Sequence, residues 1–426
     1  MSRLKSRLQT PEKEKGFGYY EFPLFFFLLI TSLGLMPNRL LDANAMTVYL
    51  ISYRLGLQSR ALVGTVFFLF TDKITSRQIY VVSVIALMLL LMLIAILLGV
   101  FIRRSPYEVR SSVEIFALLF VAAPWSITYL TGLNFGSFDT YLFIIALLIV
   151  VFLKSPYLRW GIPVLTLLAM AIHQGFFFSF FPALAILILY EAYQYHTNDR
   201  SIAGYILFFV TCLTSLALFF TFQYLQTPLP FSNVNEFVDY LSDYADFELS
   251  YAMLDSLYFV SFSEYYRGFV QPVMKLYALP FALTILAFSL PLIVLFVYFW
   301  KNTIKSAESI VLRLIFLLSA LASLVFLPVT YLLNDWDRYG SIIMSCQFIL
   351  AFYFIYSRVP GALEVTQKIG QFFQEHPIIL FLLLIFFSSI KFAVVTTDFS
   401  AYANLDTAKE VIFKYYESRK FDHFLM

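Results

Sequence analysis

Residues 79–101 read IYVVSVIALMLLLMLIAILLGVF, an apolar run without a single charged side chain. About 20 consecutive apolar residues in a helix are enough to cross the hydrocarbon core of a bilayer. The segment therefore predicts a membrane-spanning helix, and the residues on either side of it show that more such helices follow.

Composition extends this prediction to the whole chain of 426 residues, of which 61% are hydrophobic and 13% are charged. Soluble proteins are about half apolar and a quarter charged. Further apolar stretches predict an all-α, polytopic transmembrane helical bundle of about eleven spans, which form a single membrane domain over residues 22–395. The predicted spans lie at 22–38, 79–101, 113–131, 138–154, 160–172, 176–190, 202–222, 277–300, 309–333, 340–357 and 378–395.

Several functional classes lack their sequence signals. The net charge is +2, and no basic stretch is interleaved with aromatic residues beyond the N-terminus, which argues against a nucleic-acid partner. No P-loop, dinucleotide fingerprint, nucleophile elbow or two-histidine zinc motif occurs. Both cysteines lie in apolar runs, where a thiol behaves as a small hydrophobic group. The remaining possibility among these classes is a site whose chemistry depends on carboxylates and arginines.

The distribution of basic residues predicts the topology. Residues 1–21 are basic, and cytoplasmic loops carry an excess of Lys and Arg, so we expect the N-terminus inside. A signal peptide cleaved near residues 43–45 is the alternative, and the use of the first span as an anchor argues against it. Alternate gaps between spans then all contain cations, namely Arg103, Arg104, Arg110, Lys154, Arg159, Arg200, Lys301, Lys305, Arg358 and Lys368.

The opposite gaps form the predicted outer loops. Residues 39–78 are unusually basic for an outer loop, which indicates that some of these cations are functional. Residues 223–276 are acidic and aromatic, and we expect amphipathic helices lying on the outer surface there. Residues 396–426 are predicted to form an outer C-terminal tail with one amphipathic helix.

Ionisable residues at membrane depth are costly, so those that persist there are functional candidates. The predicted topology puts seven of them on the outer face, although they are scattered over most of the chain. Each has a structural alternative, such as a helix cap, a surface ion pair or an anchor at the membrane interface. The candidates are Asp42, Arg60, Asp139, His173, Asp335, Asp337 and Arg338.

Two of these candidates have local surroundings that favour a specific chemistry. Arg60 precedes Gly64, which would allow close packing and hold a guanidinium for bidentate phosphate binding, unless Arg60 merely reaches the interface. His173 interrupts two short apolar stretches, which predicts a broken or re-entrant hairpin. Its imidazole would act as an acid, a base or an anion ligand, unless it is a hydrogen-bonded structural group.

The chain resembles membrane glycosyltransferases of the C type and related bacterial polysaccharide polymerases, including EpsG-like and Wzy-like proteins. The resemblance rests on Asp42 at the end of the first span and on three short stretches, GLQSRALVG, IHQGFFFSFFP and DWDRYG. It covers most of the chain loosely. Gln174 follows the histidine where relatives commonly have an acid, so this chain departs from the family pattern there and has no carboxylate directly after His173.

The resemblance implies transfer or polymerisation of sugars from a polyprenyl-phosphate-linked donor to a glycan acceptor at the outer face of the bacterial cytoplasmic membrane. Asp42 would be the catalytic base and His173 an auxiliary acid or phosphate contact. Arg60 and Arg338 would bind the leaving phosphate, and Asp139 or the acidic pair of the late motif would orient the acceptor. No cofactor is certain, and a divalent cation is compatible with this chemistry.

Two other classes of function compete with this one. A lipid-linked oligosaccharide flippase or other transporter would place its polar residues near the bilayer midplane on broken helices, with access from both faces. A non-catalytic scaffold for envelope assembly would leave the outer charges as surface pairs of little energetic value. The depth and sidedness of the polar residues distinguish a transporter from a transferase.

Overall fold

The computed structural model describes residues 16–35, 41–123, 127, 134–327 and 336–389, and they form helices joined by short turns. Within these residues, backbone bridging between extended segments is limited to an isolated pair, Ile74 and Ala245. The all-α prediction is confirmed. The helices are α1 (Glu21–Leu35), α2 (Ala43–Val48), α3 (Ala61–Phe68), α4 (Ser76–Arg104), α5 (Tyr107–Ala122), α6 (Asp139–Leu153), α7 (Ile162–Ile172), α8 (Phe181–Asp199), α9 (Ala203–Tyr224), α10 (Val234–Ser242), α11 (Tyr251–Tyr258), α12 (Gln271–Lys305), α13 (Ile310–Ala322), α14 (Trp336–Tyr356), α15 (Pro360–Glu375) and α16 (Pro377–Ser389).

Each predicted span overlaps one of these helices, while α15 occupies a region that the sequence pattern assigns to a gap. Three helices of the described chain are long and apolar enough to cross a membrane, namely α4, α9 and the part of α14 from residue 338. A fourth crossing results if α15 and α16 count as one broken span, bent by 99°. The larger number of spans and the orientation of the N-terminus remain predictions.

Helix starts follow local chemistry. Thr75 and Gln78 form a reciprocal capping box at the start of α4, in which each side chain accepts a hydrogen bond from the other's backbone N–H. Asn233 and Ser309 cap α10 and α13 in the simpler way, with a side-chain oxygen that accepts from a backbone N–H. These caps satisfy backbone donors that a helix leaves unpaired.

Helix α14 is the centre of the bundle. It packs against α4, α8, α13 and α15, and 83% of its most apolar stretch is buried inside the protein. Phe348 lies between Phe116, Phe120 and Phe296, with ring centroids 4.8–5.5 Å apart. Offset and edge-to-face ring contacts of this kind stabilise a core beyond simple burial. The core thus holds α14 in a defined position.

At one end of the bundle, which we call the Lys154 end, contacts join segments that the charge pattern predicts to lie inside. Lys154 donates to both Glu191 and Ser357 at 2.8 Å. Arg104 donates to the Tyr356 hydroxyl at 2.6 Å. The basic gaps between the predicted spans therefore lie close together.

At the opposite end, which we call the Asp139 end, the predicted outer loops pack on one another. The N–H of Leu57 donates to the Thr227 hydroxyl at 2.9 Å, so the first loop contacts the start of the acidic segment. Helix α2 is joined to the same segment, since Ser250 donates to the Asn44 side chain at 2.5 Å. The first loop also contacts the turn before α6, since the Tyr49 hydroxyl donates to the Gly136 carbonyl at 3.0 Å.

Candidate functional site

A buried carboxylate begins the site. Asp139 is the first residue of α6 and is 1% exposed. The Arg338 guanidinium, on the first turn of α14, contacts both carboxylate oxygens: Nη2 donates to Oδ1 at 2.7 Å, and Nε lies 2.5 Å from Oδ2. Asn134 donates to the same carboxylate at 2.6 Å. This two-point contact fixes the start of α6 against α14.

Arg60 has an unusual backbone conformation. Its φ is 66° and its ψ is 11°, in the left-handed region, at the residue that precedes α3. Arg200 and Arg358 also have positive φ, but both follow the ends of helices, where this conformation is common. A residue before a helix normally has an extended backbone. Strain of this kind is retained at functional sites when the surroundings enforce it.

The surroundings of α3 supply that constraint. A Cβ atom on Gly64 would overlap the backbone carbonyl of Ile51, so α3 packs directly on the preceding loop. The Thr65 hydroxyl accepts from the backbone N–H of Tyr53 at 2.8 Å and so joins α3 to the same loop. The close packing expected from the sequence at Gly64 is present, and it positions Arg60.

His173 lies at the predicted break between two helices. Helix α7 ends at Ile172, His173 is extended with a φ of −160°, and a 3-10 turn follows before α8. The Nδ1 atom of His173 accepts a hydrogen bond of 2.8 Å from the backbone N–H of Gly175. In a neutral imidazole the other nitrogen, Nε2, must then carry the proton and act as a donor.

Arg60, His173 and Arg338 act on one another electrostatically. Burial, reinforced by the two arginines, holds the pKa of His173 well below its usual value, so its imidazole is neutral. Burial and the neighbouring Arg338 also lower the pKa of Arg60, while Asp139 opposes this effect. We call Arg60, Arg338, His173 and Asp139 the cationic cluster. It combines residues that are separated by most of the chain.

The charges of the cationic cluster do not cancel. Two guanidinium groups face one carboxylate, and the histidine is neutral, which leaves an excess of one positive charge. Tyr258 on α11 adds a phenol next to Arg60, and burial raises its pKa to about 12, so it keeps its proton. The arrangement offers several donors and a net positive charge, which suits an anion such as a phosphate.

The other candidates from the sequence are not part of this cluster or lie outside the described residues. Asp42 is exposed at the start of α2, and its carboxylate accepts from Asn44 at 2.8 Å. In the described part of the chain it makes no ion pair with the cationic cluster, although the adjacent Leu41 contacts Gly136 in the turn before α6. Asp335 and the side chain of Asp337 lie outside the described residues.

Metal binding has no support from the described residues, because no three His, Cys, Asp or Glu side chains among them form a group that could hold an ion. The divalent cation that the proposed chemistry allows stays a prediction.

Sequence reasoning missed several residues that shape the site. Tyr258 has no distinguishing signal, because the acidic segment contains many tyrosines. Asn134 and Gly175 lie in loops that the sequence does mark, but their roles depend on contacts with Asp139 and His173 that spacing does not reveal.

Comparisons with known proteins give no further guide to this site, since no family model, curated protein or solved structure matches the chain.

Proposed function

We propose that this protein transfers or polymerises sugar units from a polyprenyl-phosphate-linked donor onto a glycan acceptor, for surface polysaccharide assembly. The observation that carries the proposal is the cationic cluster, in which Arg60 and Arg338 act electrostatically on a neutral His173 and leave an excess of positive charge beside its Nε2–H. A lipid phosphate is an anion of the right charge that reaches a helix-bundle site from the membrane.

The proposed reaction exchanges one bond to the sugar for another. The acceptor hydroxyl loses its proton to a base and attacks the anomeric carbon, while the bond from that carbon to the phosphate oxygen breaks. The departing lipid phosphate keeps the electron pair, and negative charge develops on its oxygen. Donors placed around that oxygen lower the barrier most, because they act where charge develops.

Asp42 is our proposed base. It is an exposed carboxylate at the Asp139 end, and its side chain contacts an amide instead of a cation. Asp139 suits this role less well, since its oxygens already accept from Arg338 and Asn134. We assign Asp139 to holding Arg338 and, with the late acidic motif, to orienting the acceptor. His173 acts as a neutral donor to the phosphate.

The proposal places the Asp139 end at the outer face of a bacterial cytoplasmic membrane. About eleven spans and a cytoplasmic N-terminus would put the cationic cluster there. Support comes from the grouping of contacts, because predicted inner gaps meet at the Lys154 end and predicted outer loops at the Asp139 end. Basic residues concentrate at the cytoplasmic ends of membrane helices.

A flippase for lipid-linked oligosaccharides is the second candidate function. It is favoured by the sharp break between α15 and α16, and by the interruption between α7 and α8 at His173. Transporters use such broken helices to bind substrates between two halves of the bundle. A flippase would need the cationic cluster to open alternately to both faces.

The experiment replaces the cell's own copy with Asp42→Asn or Arg60→Ala and measures surface glycan length and the lipid-linked precursor. We expect normal protein levels, shortened or absent polymer, and precursor accumulated on the outer leaflet. Arg54→Ala is the matched control, because Arg54 lies in the same loop but stacks on Phe68 at 4.4 Å. Unchanged glycan in both variants would refute this site, and precursor trapped on the inner leaflet would favour the flippase.

A further inference from the structure

Next to the cationic cluster, buried polar atoms lack partners. Within the described part of the chain, the side-chain oxygens of Gln174, Ser179, Ser341 and Ser345 are shielded from solvent and have no hydrogen-bond partner. Folded proteins pair the great majority of their buried polar groups, so several unpaired ones at one interface require an explanation. We call these four residues the polar seam.

The polar seam lies between two elements that also supply the cationic cluster. Gln174 and Ser179 belong to the turn that follows His173. Ser341 and Ser345 follow Arg338 by three and seven positions on α14, so the three share one helix face. Cys346, on the adjoining part of that face, contacts the Ser179 carbonyl, with the sulfur 3.8 Å from the oxygen. The turn that follows His173 therefore packs against α14.

The burial of the seam is extreme for hydroxyl groups. Ser341 and Ser345 are 0% exposed and Ser179 is 4% exposed. Serines inside helices usually satisfy themselves by donating to the carbonyl four residues earlier, as Ser319 does with Ile315 at 2.8 Å. The seam serines do not, although Ser341 and Ser345 have the same helical setting. Their hydroxyls therefore have unused hydrogen-bonding capacity.

The chemistry of these atoms identifies the ligand class. A hydroxyl both donates and accepts, and the Gln174 amide also has both capacities. A phosphate oxygen near neutral pH only accepts, so the anion alone cannot satisfy such a mixed set. A sugar carries several hydroxyls that donate and accept.

We infer that the polar seam binds the sugar of the lipid-linked donor, with Gln174, Ser179, Ser341 and Ser345 hydrogen-bonded to its hydroxyls while the adjacent cationic cluster holds the phosphate. This inference rests on the proposed function and names the part of the site that recognises the sugar. It makes the seam a determinant of donor specificity, distinct from the groups that stabilise the leaving phosphate.

The test compares two ligands on the purified protein in lipid nanodiscs. One probe is farnesyl phosphate, and the other is farnesyl phosphate bearing glucose, galactose or N-acetylglucosamine. The wild type should bind at least one sugar-bearing probe more tightly than farnesyl phosphate. Ser341→Ala and Ser345→Ala should each reduce this preference about three- to tenfold, the range for one ordinary hydrogen bond. Affinity for farnesyl phosphate should not change.

Ser319→Ala is the matched control, since it removes an equally buried serine hydroxyl that already has a backbone partner. It should leave the preference intact. The seam variants should also keep the thermal stability of the free protein, because removing an unpaired buried hydroxyl costs little or is favourable. A failure to fold is therefore not expected.

Two outcomes would overturn the inference in distinguishable ways. If the wild type binds all probes equally, or if both alanine variants keep the wild-type preference, the seam holds water and not sugar, while the proposed function stands. If the wild type binds neither farnesyl phosphate nor its sugar-bearing forms, the proposed function fails together with the inference.

Discussion

Replacing Arg60 by glycine should stabilise the protein while abolishing its function. The left-handed backbone at Arg60, with a φ of 66°, costs a non-glycine residue about 2 kcal/mol, and glycine avoids this cost. Removing the charge also ends its repulsion with Arg338. Arg60→Ala loses the charge but keeps the backbone strain. Glycine also adds unfolded-state entropy worth about 0.4–1 kcal/mol, so we expect Arg60→Gly to be more stable than Arg60→Ala by a net of about 1 kcal/mol.

This order is the reverse of the usual one, because alanine normally stabilises a chain relative to glycine by about 0.4–1 kcal/mol. Arg54 provides the control, since it lies in a 3-10 turn without positive φ. There, alanine should be the more stable replacement. Thermal unfolding in detergent, followed by tryptophan fluorescence, should separate each pair by about 1 °C.

The same two Arg60 variants should be equally inactive in the glycan assay, because both lack the guanidinium. A more stable alanine variant at position 60 would contradict the backbone argument. Full-length glycan in either variant would contradict the proposed role of Arg60 in phosphate binding.

Three other predictions concern the remaining groups of the cationic cluster. Gly175→Ala should reduce transfer about tenfold to a hundredfold, because the new Cβ would lie 2.8 Å from two atoms of the His173 ring and displace the ring. Gly268→Ala is the control, since its Cβ would meet no atom within 4 Å, and equal activity of the two variants would contradict the role of His173. Asp139→Asn should destabilise the protein by about 3 kcal/mol, since it leaves the Arg338 charge without its carboxylate. Chemical denaturation at pH 7 measures this loss of stability, and an unchanged midpoint would refute the ion pair between Arg338 and Asp139. The free energy of unfolding should fall as the pH drops below about 6.5, because His173 in the unfolded chain gains a proton that the folded form, with its lowered pKa, does not bind. Unfolding midpoints between pH 8 and 5 should show this decrease in the wild type, and the same decrease in His173→Asn would assign it to other groups.

The positions of the helices are largely predictable from the sequence. An apolar run such as residues 79–101 has one stable conformation in a bilayer, because a helix pairs its own backbone groups. The break at His173 is also predictable, since the flanking runs are short for two spans. Helix α15 escapes prediction because its mixture of polar and apolar residues gives no long apolar run.

The sequence indicates which polar residues are candidates for a site, but it does not indicate which of them contact one another. Charged residues are rare in this chain, so Arg60, Asp139, His173 and Arg338 stand out in the sequence as polar side chains among apolar ones. Their pairing is not evident there, because 199 residues separate Arg338 from the carboxylate of Asp139. The resemblance implies that Asp42 is the base, and its described side-chain hydrogen bond is with Asn44.

The sequence by itself determined that this protein is helical and where most of its helices lie, and it predicted which polar side chains are candidates for chemistry. The tertiary structure decided which of those side chains meet, how the backbone at Arg60 is held and which nitrogen of His173 carries the proton. The physical reason is that helix formation depends on local hydrogen bonds and apolar length. Contacts between helices depend on which face packs inward, and helices that are apolar all round, such as α6, do not encode that choice in any simple pattern.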